Sequence, residues 1–274
     1  MDLLWKAVVQ GLVQGIAEFL PVSSTAHLLF FGDLLEMGHE NFLKIFNIII
    51  QLASILAVVI YFRTTLLPED MFRDGAVRRR TFDLWGKMIV GVIPILFIGA
   101  AAAKLGWVDA MHARPLIMAG ALFIGGVLLL RVESWCKHDN PVSDLSALSY
   151  KTAFLIGLIQ CLAIVPGTSR SAATIIGALA LGLARPLAAE FSFLLAIPTM
   201  AAASAYSLLK YRGGMTGEEW IALAIGFVVT FLVSLLAVSW LMRFIKTHTF
   251  EFFGWYRMAL AMIVAGYLLL KLAE

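Results

Sequence analysis

Long apolar stretches alternate with short polar ones along most of the chain, as in proteins whose helices cross a membrane. Six uninterrupted apolar runs come close to the ~20 residues that a helix needs to cross the hydrocarbon core. The runs cover about residues 44–62, 84–104, 114–132, 187–210, 218–243 and 252–272. The pattern therefore predicts an all-α polytopic membrane protein with six full spans.

Two further apolar stretches are each interrupted in the middle by a proline. In the first, the run 3–20 stops at Pro21 and a second run continues to about residue 35. In the second, which covers about residues 151–183, the break falls at Pro166. Proline ends a helix because it has no amide hydrogen to donate. Each piece is short for a span, so we predict two re-entrant helical hairpins whose turns are covered by protein or a polar cavity.

The two halves of the chain resemble one another. Gly11-Leu-Val-Gln14 returns as Gly157-Leu-Ile-Gln160. At a constant offset of 145, the matching pairs are Pro21 with Pro166, Ser24 with Ser169, and Phe46 with Phe191. Chance similarity between apolar segments is the alternative explanation, and the shared offset argues against it.

Each half therefore consists of one re-entrant hairpin and three transmembrane helices. An odd number of spans reverses the orientation of the second copy, which predicts an inverted-topology repeat whose hairpin tips meet. We expect one integral membrane domain over residues 1–274. Repeat 1 covers about residues 1–135, a polar linker covers about 136–150, and repeat 2 covers about 151–274.

Basic residues predict the orientation, because they are enriched in cytoplasmic loops. One side carries thirteen of them: Arg63, Arg73, Arg78, Arg79, Arg80, Lys87, Arg131, Lys137, Lys151, Arg185, Arg243, Lys246 and Arg257. The other side carries seven: Lys6, Lys44, Lys104, Arg114, Lys210, Arg212 and Lys271. The first side should be cytoplasmic. Both termini and the first hairpin then face the periplasm or cell exterior, and the second hairpin enters from the cytoplasm.

Composition agrees with a membrane location and narrows the partners. Apolar residues make up 61% of the chain and charged residues only 14%, against about 25% in soluble domains. The net charge of +3 gives no reason to expect nucleic acid, so membrane lipids are the expected surroundings. Cys136 and Cys161 form no recognisable pair or metal motif, and we expect both to be free thiols.

Few ionisable side chains lie within the predicted membrane segments. Apart from residues counted above with the two membrane faces, those expected inside the membrane are Glu18, His27, Arg170 and Glu190, and charges at this depth usually face a cavity or one another. Gln14 and Glu18 share one helical face, four residues apart. His27 could simply be a satisfied helix histidine, and Glu190 could pair structurally with Arg185 or Arg170.

The turn of the second hairpin suits a phosphate group. Thr168 or Ser169 can cap a new helix by accepting its unpaired amide hydrogens. Free amides, the hydroxyls of this turn and the fixed charge of Arg170 together favour an anion. The alternative is a capped helix start whose arginine reaches a lipid head group. The hydroxyls near the two turns that we consider candidate phosphate ligands are those of Ser23, Thr25, Thr168, Ser169, Ser171 and Thr174.

Two motifs resemble the signatures of the bacterial undecaprenyl-diphosphatases, also called bacitracin-resistance proteins. One is Gln14-Gly-Ile-Ala-Glu18-Phe-Leu-Pro-Val-Ser-Ser-Thr-Ala-His27, which is similar to the family's (Glu/Gln)-xxx-Glu block. The other is Pro166-Gly-Thr-Ser-Arg-Ser-Ala-Ala-Thr174, which is similar to its Pro-Gly-x-Ser-Arg-Ser-x-x-Thr signature. The segment from Glu190 to Pro198 also resembles the family. The departure here is Ala26, where a glycine is common.

The resemblance implies a bacterial inner-membrane enzyme that hydrolyses undecaprenyl diphosphate to the monophosphate and recycles the lipid carrier for cell-wall synthesis. It implies a divalent cation, Mg2+ or Ca2+, with Gln14 and Glu18 as its ligands. It gives functional roles to Glu18, Ser24, His27, Ser169 and Arg170. The partners are then a polyprenyl diphosphate lipid and membrane lipids. The oligomeric state stays open, with a homodimer among the options.

Three chemical routes fit these residues. Ser24 could attack phosphorus while His27 takes its proton and Arg170 neutralises charge. His27 could instead attack directly, or a metal-activated water could do so. Type 2 phosphatidic acid phosphatases need a histidine soon after Ser-Arg, which this chain lacks. An inverted-repeat transporter or flippase that binds a phosphorylated lipid is the alternative function.

Overall fold

Helices form nearly all of the structure, a computed structural model that describes residues 2–35, 37, 39–112, 114–211 and 213–273. In this part of the chain the α-helices are α1 (Asp2–Ala17), α2 (Ser24–Leu35), α3 (Glu40–Tyr61), α4 (Arg63–Leu66), α5 (Gly75–Lys104), α6 (Trp107–His112), α7 (Pro115–Trp135), α8 (Tyr150–Gln160), α9 (Arg170–Ala180), α10 (Arg185–Lys210), α11 (Gly217–Phe244) and α12 (Glu251–Ala273). Six of these described helices are long and apolar enough to cross a membrane: α3, α5, α7, α10, α11 and α12. The six predicted spans and the all-α polytopic fold are confirmed.

The polar loop expected before the second span is shorter than predicted. α5 begins at Gly75 and not near residue 84, because the Asp74 carboxylate caps it by accepting from the Ala76 amide at 2.7 Å. The run Arg78–Arg80 therefore lies in the first turns of α5, where all three side chains are exposed. A basic run can stand inside a helix here because this end projects beyond the apolar part of the span.

Both broken units are helical hairpins, as predicted. α1 and α2 flank the first turn, and α8 and α9 flank the second. Each turn ends at a serine with positive φ, 75° at Ser23 and 67° at Ser169. Each serine hydroxyl accepts from the amide three residues later, at 3.4 Å in the first hairpin and 3.3 Å in the second. By backbone conformation the counterpart of Ser169 is thus Ser23, and not Ser24 as the constant offset indicated.

The tips of the two hairpins touch each other. The Ser171 hydroxyl donates to the Leu20 carbonyl at 3.1 Å, which ties the start of α9 to the first turn. Phe19 of the first turn also packs edge to face with Phe193 of α10, with ring centroids 5.3 Å apart. The prediction that two broken helices meet inside the bundle is therefore confirmed.

Close helix packing places each hairpin against a span from the other half. Gly11 and Gly15 line α1 where it meets α11, and an added Cβ on Gly15 would stand 2.8 Å from the Val233 side chain. The small residues of α1 therefore allow a close approach of the two helices. α8 meets α5 in the same way, since a Cβ on Gly157 would overlap the Gly91 carbonyl. Exchanging the halves maps the first pair onto the second, as an inverted repeat requires, although the repeat itself stays a prediction.

The linker between the halves is held against the protein. Val142 forms an isolated parallel bridge with Leu183 at the exit of the second hairpin. The buried Lys87 ammonium donates to the Leu145 carbonyl at 3.1 Å and pairs with Asp83. The start of α5, the linker and the exit of the second hairpin therefore lie at one end of the bundle, as the predicted topology requires.

Candidate active site

Glu18 stands at the centre of the contact between the two hairpins. It follows the end of α1, and its side chain is 7% exposed. One carboxylate oxygen, Oε2, accepts from the Gln14 amide at 3.0 Å and from the Ser24 hydroxyl at 2.8 Å. The other oxygen, Oε1, lies 3.7 Å from the Arg170 guanidinium. The structure therefore brings Gln14, Glu18, Ser24 and Arg170 together, while their roles stay predictions.

Ser24 is the first residue of α2, and its hydroxyl faces this carboxylate. It donates its hydrogen to Glu18, so a proton leaving Ser24 already has an acceptor at hydrogen-bond distance. The residue expected to take that proton, His27, has other partners. His27 Nδ1 lies 2.8 Å from the Ser23 carbonyl oxygen, and Nε2 lies 2.7 Å from the Tyr256 hydroxyl.

Arg170 is the first residue of α9 and approaches Glu18 from the opposite hairpin. Its Nη1 donates to the Ser192 carbonyl at 3.1 Å, which fixes the side chain against α10. Nε and Nη2 are buried and have no hydrogen-bond partner among the residues that the structure describes. Buried guanidinium donors are normally satisfied, so these atoms indicate a missing acceptor such as a phosphate oxygen.

The other hydroxyls of the second hairpin have partners within the protein. Ser169 and Ser171 lie 3.1 Å apart, oxygen to oxygen. Thr174 donates to the Arg170 carbonyl at 2.9 Å and lies 2.5 Å from the Ser192 hydroxyl. Ser171 and Thr174 are completely buried, so the contacts that the structure shows for them join α9 to its neighbours.

The remaining candidates lie around the same turns. Ser23 is 1% exposed and caps α2. Thr25 is half-buried in the first turn of that helix. Thr168 is half-buried, and its carbonyl accepts from the Arg257 guanidinium at 3.1 Å. Their side chains as phosphate ligands stay predictions.

Both motifs that form this site occur in a known family. Residues 7–263 match the family described as bacitracin resistance protein BacA. The chain belongs to this family. A protein of Lacticaseibacillus paracasei named undecaprenyl-diphosphatase is 42% identical over 264 residues, which cover 94% of this chain and 96% of that one. One of Clostridioides difficile named undecaprenyl-diphosphatase 1 is 43% identical, covering 97% of each chain. One of Aquifex aeolicus named undecaprenyl-diphosphatase is 40% identical, covering 97% and 98%.

Sequence reasoning missed the residue that joins the hairpins of this BacA family member. Arg257 is completely buried, and its guanidinium donates only to backbone carbonyls in the described contacts. The acceptors lie in both hairpin turns and in α7: Pro21 at 3.1 Å, Gly167 at 3.0 Å, Thr168 at 3.1 Å, Ala121 at 3.2 Å and Leu122 at 3.3 Å. The space for it comes from Gly125, where a Cβ would overlap the guanidinium.

Arg257 was counted among the cytoplasmic basic residues, and that assignment is wrong. A completely buried arginine that binds the hairpin turns does not report on loop charge. The count on the proposed cytoplasmic side falls from thirteen to twelve, which still exceeds the seven on the other side. The sequence held one signal for this role of Arg257. The residue follows Tyr256 in the short run Trp-Tyr-Arg of an apolar helix, and an arginine within a span usually has a function.

The suggested structural partners of Glu190 are also wrong. Arg185 pairs with Glu133 at 2.6 Å, and Arg170 pairs with Glu18. Both arginines are therefore engaged elsewhere in the described structure. Glu190 itself is half-buried in α10.

The two turns together carry more positive than negative charge. Arg170 and Arg257 contribute two cations within this cluster, whereas Glu18 contributes one carboxylate. Charges buried at this depth are costly unless they are paired or hydrogen-bonded. An anionic group bound between the turns would offset that excess.

Proposed function

We propose that this chain hydrolyses undecaprenyl diphosphate to undecaprenyl phosphate and inorganic phosphate, and so recycles the lipid carrier for cell-wall synthesis. The names of its relatives support the reaction, and the family's description supports a contribution to bacitracin resistance. The observation that carries the proposal is the Glu18–Ser24 hydrogen bond directly opposite the unsatisfied guanidinium atoms of Arg170. A nucleophile, a proton acceptor and a phosphate ligand thus converge from two hairpins.

In the mechanism that this geometry favours, Ser24 Oγ attacks the terminal phosphorus. Its proton passes to Glu18 Oε2, along the 2.8 Å hydrogen bond that is already present. The bond from phosphorus to the bridging oxygen breaks, and the lipid monophosphate leaves with that electron pair. Water then attacks the phosphoserine, the bond from phosphorus to Ser24 Oγ breaks, and the proton on Glu18 returns to that oxygen. Arg170 stabilises the negative charge on the equatorial oxygens in both steps.

A divalent cation fits the same residues, and we propose Gln14 and Glu18 as its protein ligands. Gln14 Oε1 is buried without a hydrogen-bond partner in the described structure, and Mg2+ and Ca2+ prefer such oxygen ligands. The described residues include no cluster of three or more His, Cys, Asp or Glu that could hold a metal. The diphosphate would therefore supply the remaining ligands, as is common for Mg2+. The bound cation would screen phosphate charge.

Phosphate release from the purified protein tests the function. Wild-type protein in detergent micelles should release phosphate from a polyprenyl diphosphate, and Ser24→Ala should abolish most of that release. Acid quenching during turnover should trap phosphoserine at position 24 in the wild type only. A chain that binds the lipid but releases no phosphate would be a carrier, and the proposal would be wrong.

We further propose that the site opens to the periplasm or cell exterior of the inner membrane, as the basic residues indicate. The test uses a variant without Cys136 and Cys161, and a single new cysteine at Asp2 or at Arg79, both exposed. In intact cells with a permeabilised outer layer, an impermeant thiol reagent should label only the cysteine at position 2. Labelling at position 79 alone would reverse the orientation.

A further inference from the structure

His27 has one fixed tautomer, and its neighbours define it. A backbone carbonyl can only accept a hydrogen bond, so the 2.8 Å contact with the Ser23 carbonyl places the hydrogen on Nδ1. Burial of His27 favours the neutral imidazole, in which the other nitrogen, Nε2, carries the lone pair. The Tyr256 hydroxyl therefore donates to Nε2 across 2.7 Å.

The two rings are also nearly parallel. The planes of His27 and Tyr256 differ by 3°, and their centroids are 5.8 Å apart. His27 is 8% exposed, whereas Tyr256 is 41% exposed. The phenol hydroxyl therefore contacts Nε2 and restrains the orientation of the His27 ring.

Tyr256 reaches this position because of the residue that follows it. Arg257 is fixed by carbonyls of both turns, which holds this part of α12 against the site. Tyr256 comes from the last helix of the second half, and His27 comes from the first hairpin. The pair therefore adds a second link between the halves, independent of the Glu18–Arg170 pair.

We propose that Tyr256 is a positioning residue for the phosphatase reaction. Its hydroxyl holds His27 in the Nδ1-protonated tautomer and fixes the orientation of the imidazole ring, whose residue the family resemblance gives a functional role. This inference rests on the proposed function for its kinetic consequence. The tautomer that it assigns can be measured without turnover.

The first test is Tyr256→Phe, which removes one hydroxyl and keeps the ring. Losing one neutral hydrogen bond should lower kcat by about 10-fold. KM should stay within about twofold, because the phenol acts through His27 and does not bind the substrate in the ground state. The matched control is Tyr61→Phe in α3, whose ring packs against Phe62 at a centroid distance of 4.8 Å and lies outside the site. This control should keep wild-type kcat.

The second test asks whether Tyr256 acts through His27. In a His27→Gln background, Tyr256→Phe should cause no further loss of kcat, since its target has gone. An equal fold-loss in both backgrounds would overturn the proposal, as would a Tyr256→Phe enzyme as active as the Tyr61→Phe control.

The third test reads the tautomer by 15N NMR of histidine-labelled protein in micelles, with His27→Gln to assign the signal. Wild type should show a protonated Nδ1 and an unprotonated Nε2 that accepts a hydrogen bond. In Tyr256→Phe the Nε2 signal should move to that of a free imidazole nitrogen. An unchanged Nε2 signal would show that the hydrogen bond does not exist in solution, even if the wild type releases phosphate normally. If the expected NMR change occurs but the wild type releases no phosphate, the positioning role falls with the proposed function.

Discussion

The two hairpins have the same backbone conformation at their turns but carry different side chains there. Both turn at a proline segment, and both start their second helix after a serine with positive φ that caps it. The residue that follows the capping serine is Ser24 in the first hairpin and Arg170 in the second. At the offset of 146 that aligns Ser23 with Ser169, Glu18 and His27 correspond to Ile164 and Ala173. In the proposed mechanism the first hairpin therefore supplies the nucleophile and the proton acceptor, and the second supplies the cation.

This difference shows what two unlike hairpins provide. Two equal hairpins would bring two carboxylates or two arginines together, and like charges at such a depth repel each other. Two unlike hairpins give an ion pair whose members belong to separate elements. The site exists only when the turns meet, so each half can be tested by changing it alone.

The largest effect should come from the cation of the second hairpin. Arg170→Lys keeps the charge but loses the planar fork that can bind two phosphate oxygens. We expect kcat to fall on the order of 100- to 1,000-fold, nearly as much as in Arg170→Ala. The measurement is phosphate release in micelles, with folding checked by thermal melting. A folded Arg170→Lys enzyme within about threefold of wild type, well short of that loss, would mean that the charge alone matters and that the arginine anchors the hairpin.

The carboxylate of the first hairpin should give the next largest effect. Glu18→Gln keeps the shape but removes the charge that pairs with Arg170 and the acceptor for the Ser24 proton. We expect most activity to be lost and the cation requirement to rise, on the order of 10- to 100-fold in concentration. Turnover is measured across a titration of Mg2+ and of Ca2+. Near-normal turnover throughout the titration would exclude Glu18 as both ligand and proton acceptor.

The smallest effect concerns the shared backbone and should be the same in both hairpins. At Ser23 and Ser169, alanine loses the cap at a cost of about 1 kcal/mol. Glycine also loses the cap, but it adopts positive φ without the ~1–2 kcal/mol cost of a side chain. The glycine variants should therefore melt at a higher temperature than the alanine variants. Ser149 is the control, because it caps α8 with a φ of −80°. The melting temperatures of the glycine and alanine variants should differ more at Ser23 and Ser169 than at Ser149. An equal or smaller difference would argue against strain at the turns.

The sequence predicts the helices well because lipid imposes a simple rule on them. The apolar runs located all six spans, and the prolines located both turns, since neither depends on distant contacts. The convergence of Glu18 and Arg170 also followed from the repeat. The start of α5 was predicted less accurately, because an acidic cap at Asp74 decides where that helix begins.

The partners of single side chains could not be read from the sequence. His27 and Ser24 are three residues apart in one helix, which suggested that they act together. Their contacts instead depend on Tyr256, 229 residues away from His27, and on the carboxylate of Glu18. Arg257 was misassigned for the same reason, since its acceptors are backbone carbonyls and leave no trace in the identity of the residues that provide them.

The guanidinium of Arg257 has a consequence for how a lipid can enter. Its donors are shared among Pro21, Gly167 and the carbonyls of α7, so separating the turns would strand a cation and several carbonyls without water. The two tips should therefore move as one rigid body. A long polyprenyl chain would then reach the phosphate site sideways, through a gap between neighbouring helices, while the centre of the protein stays closed.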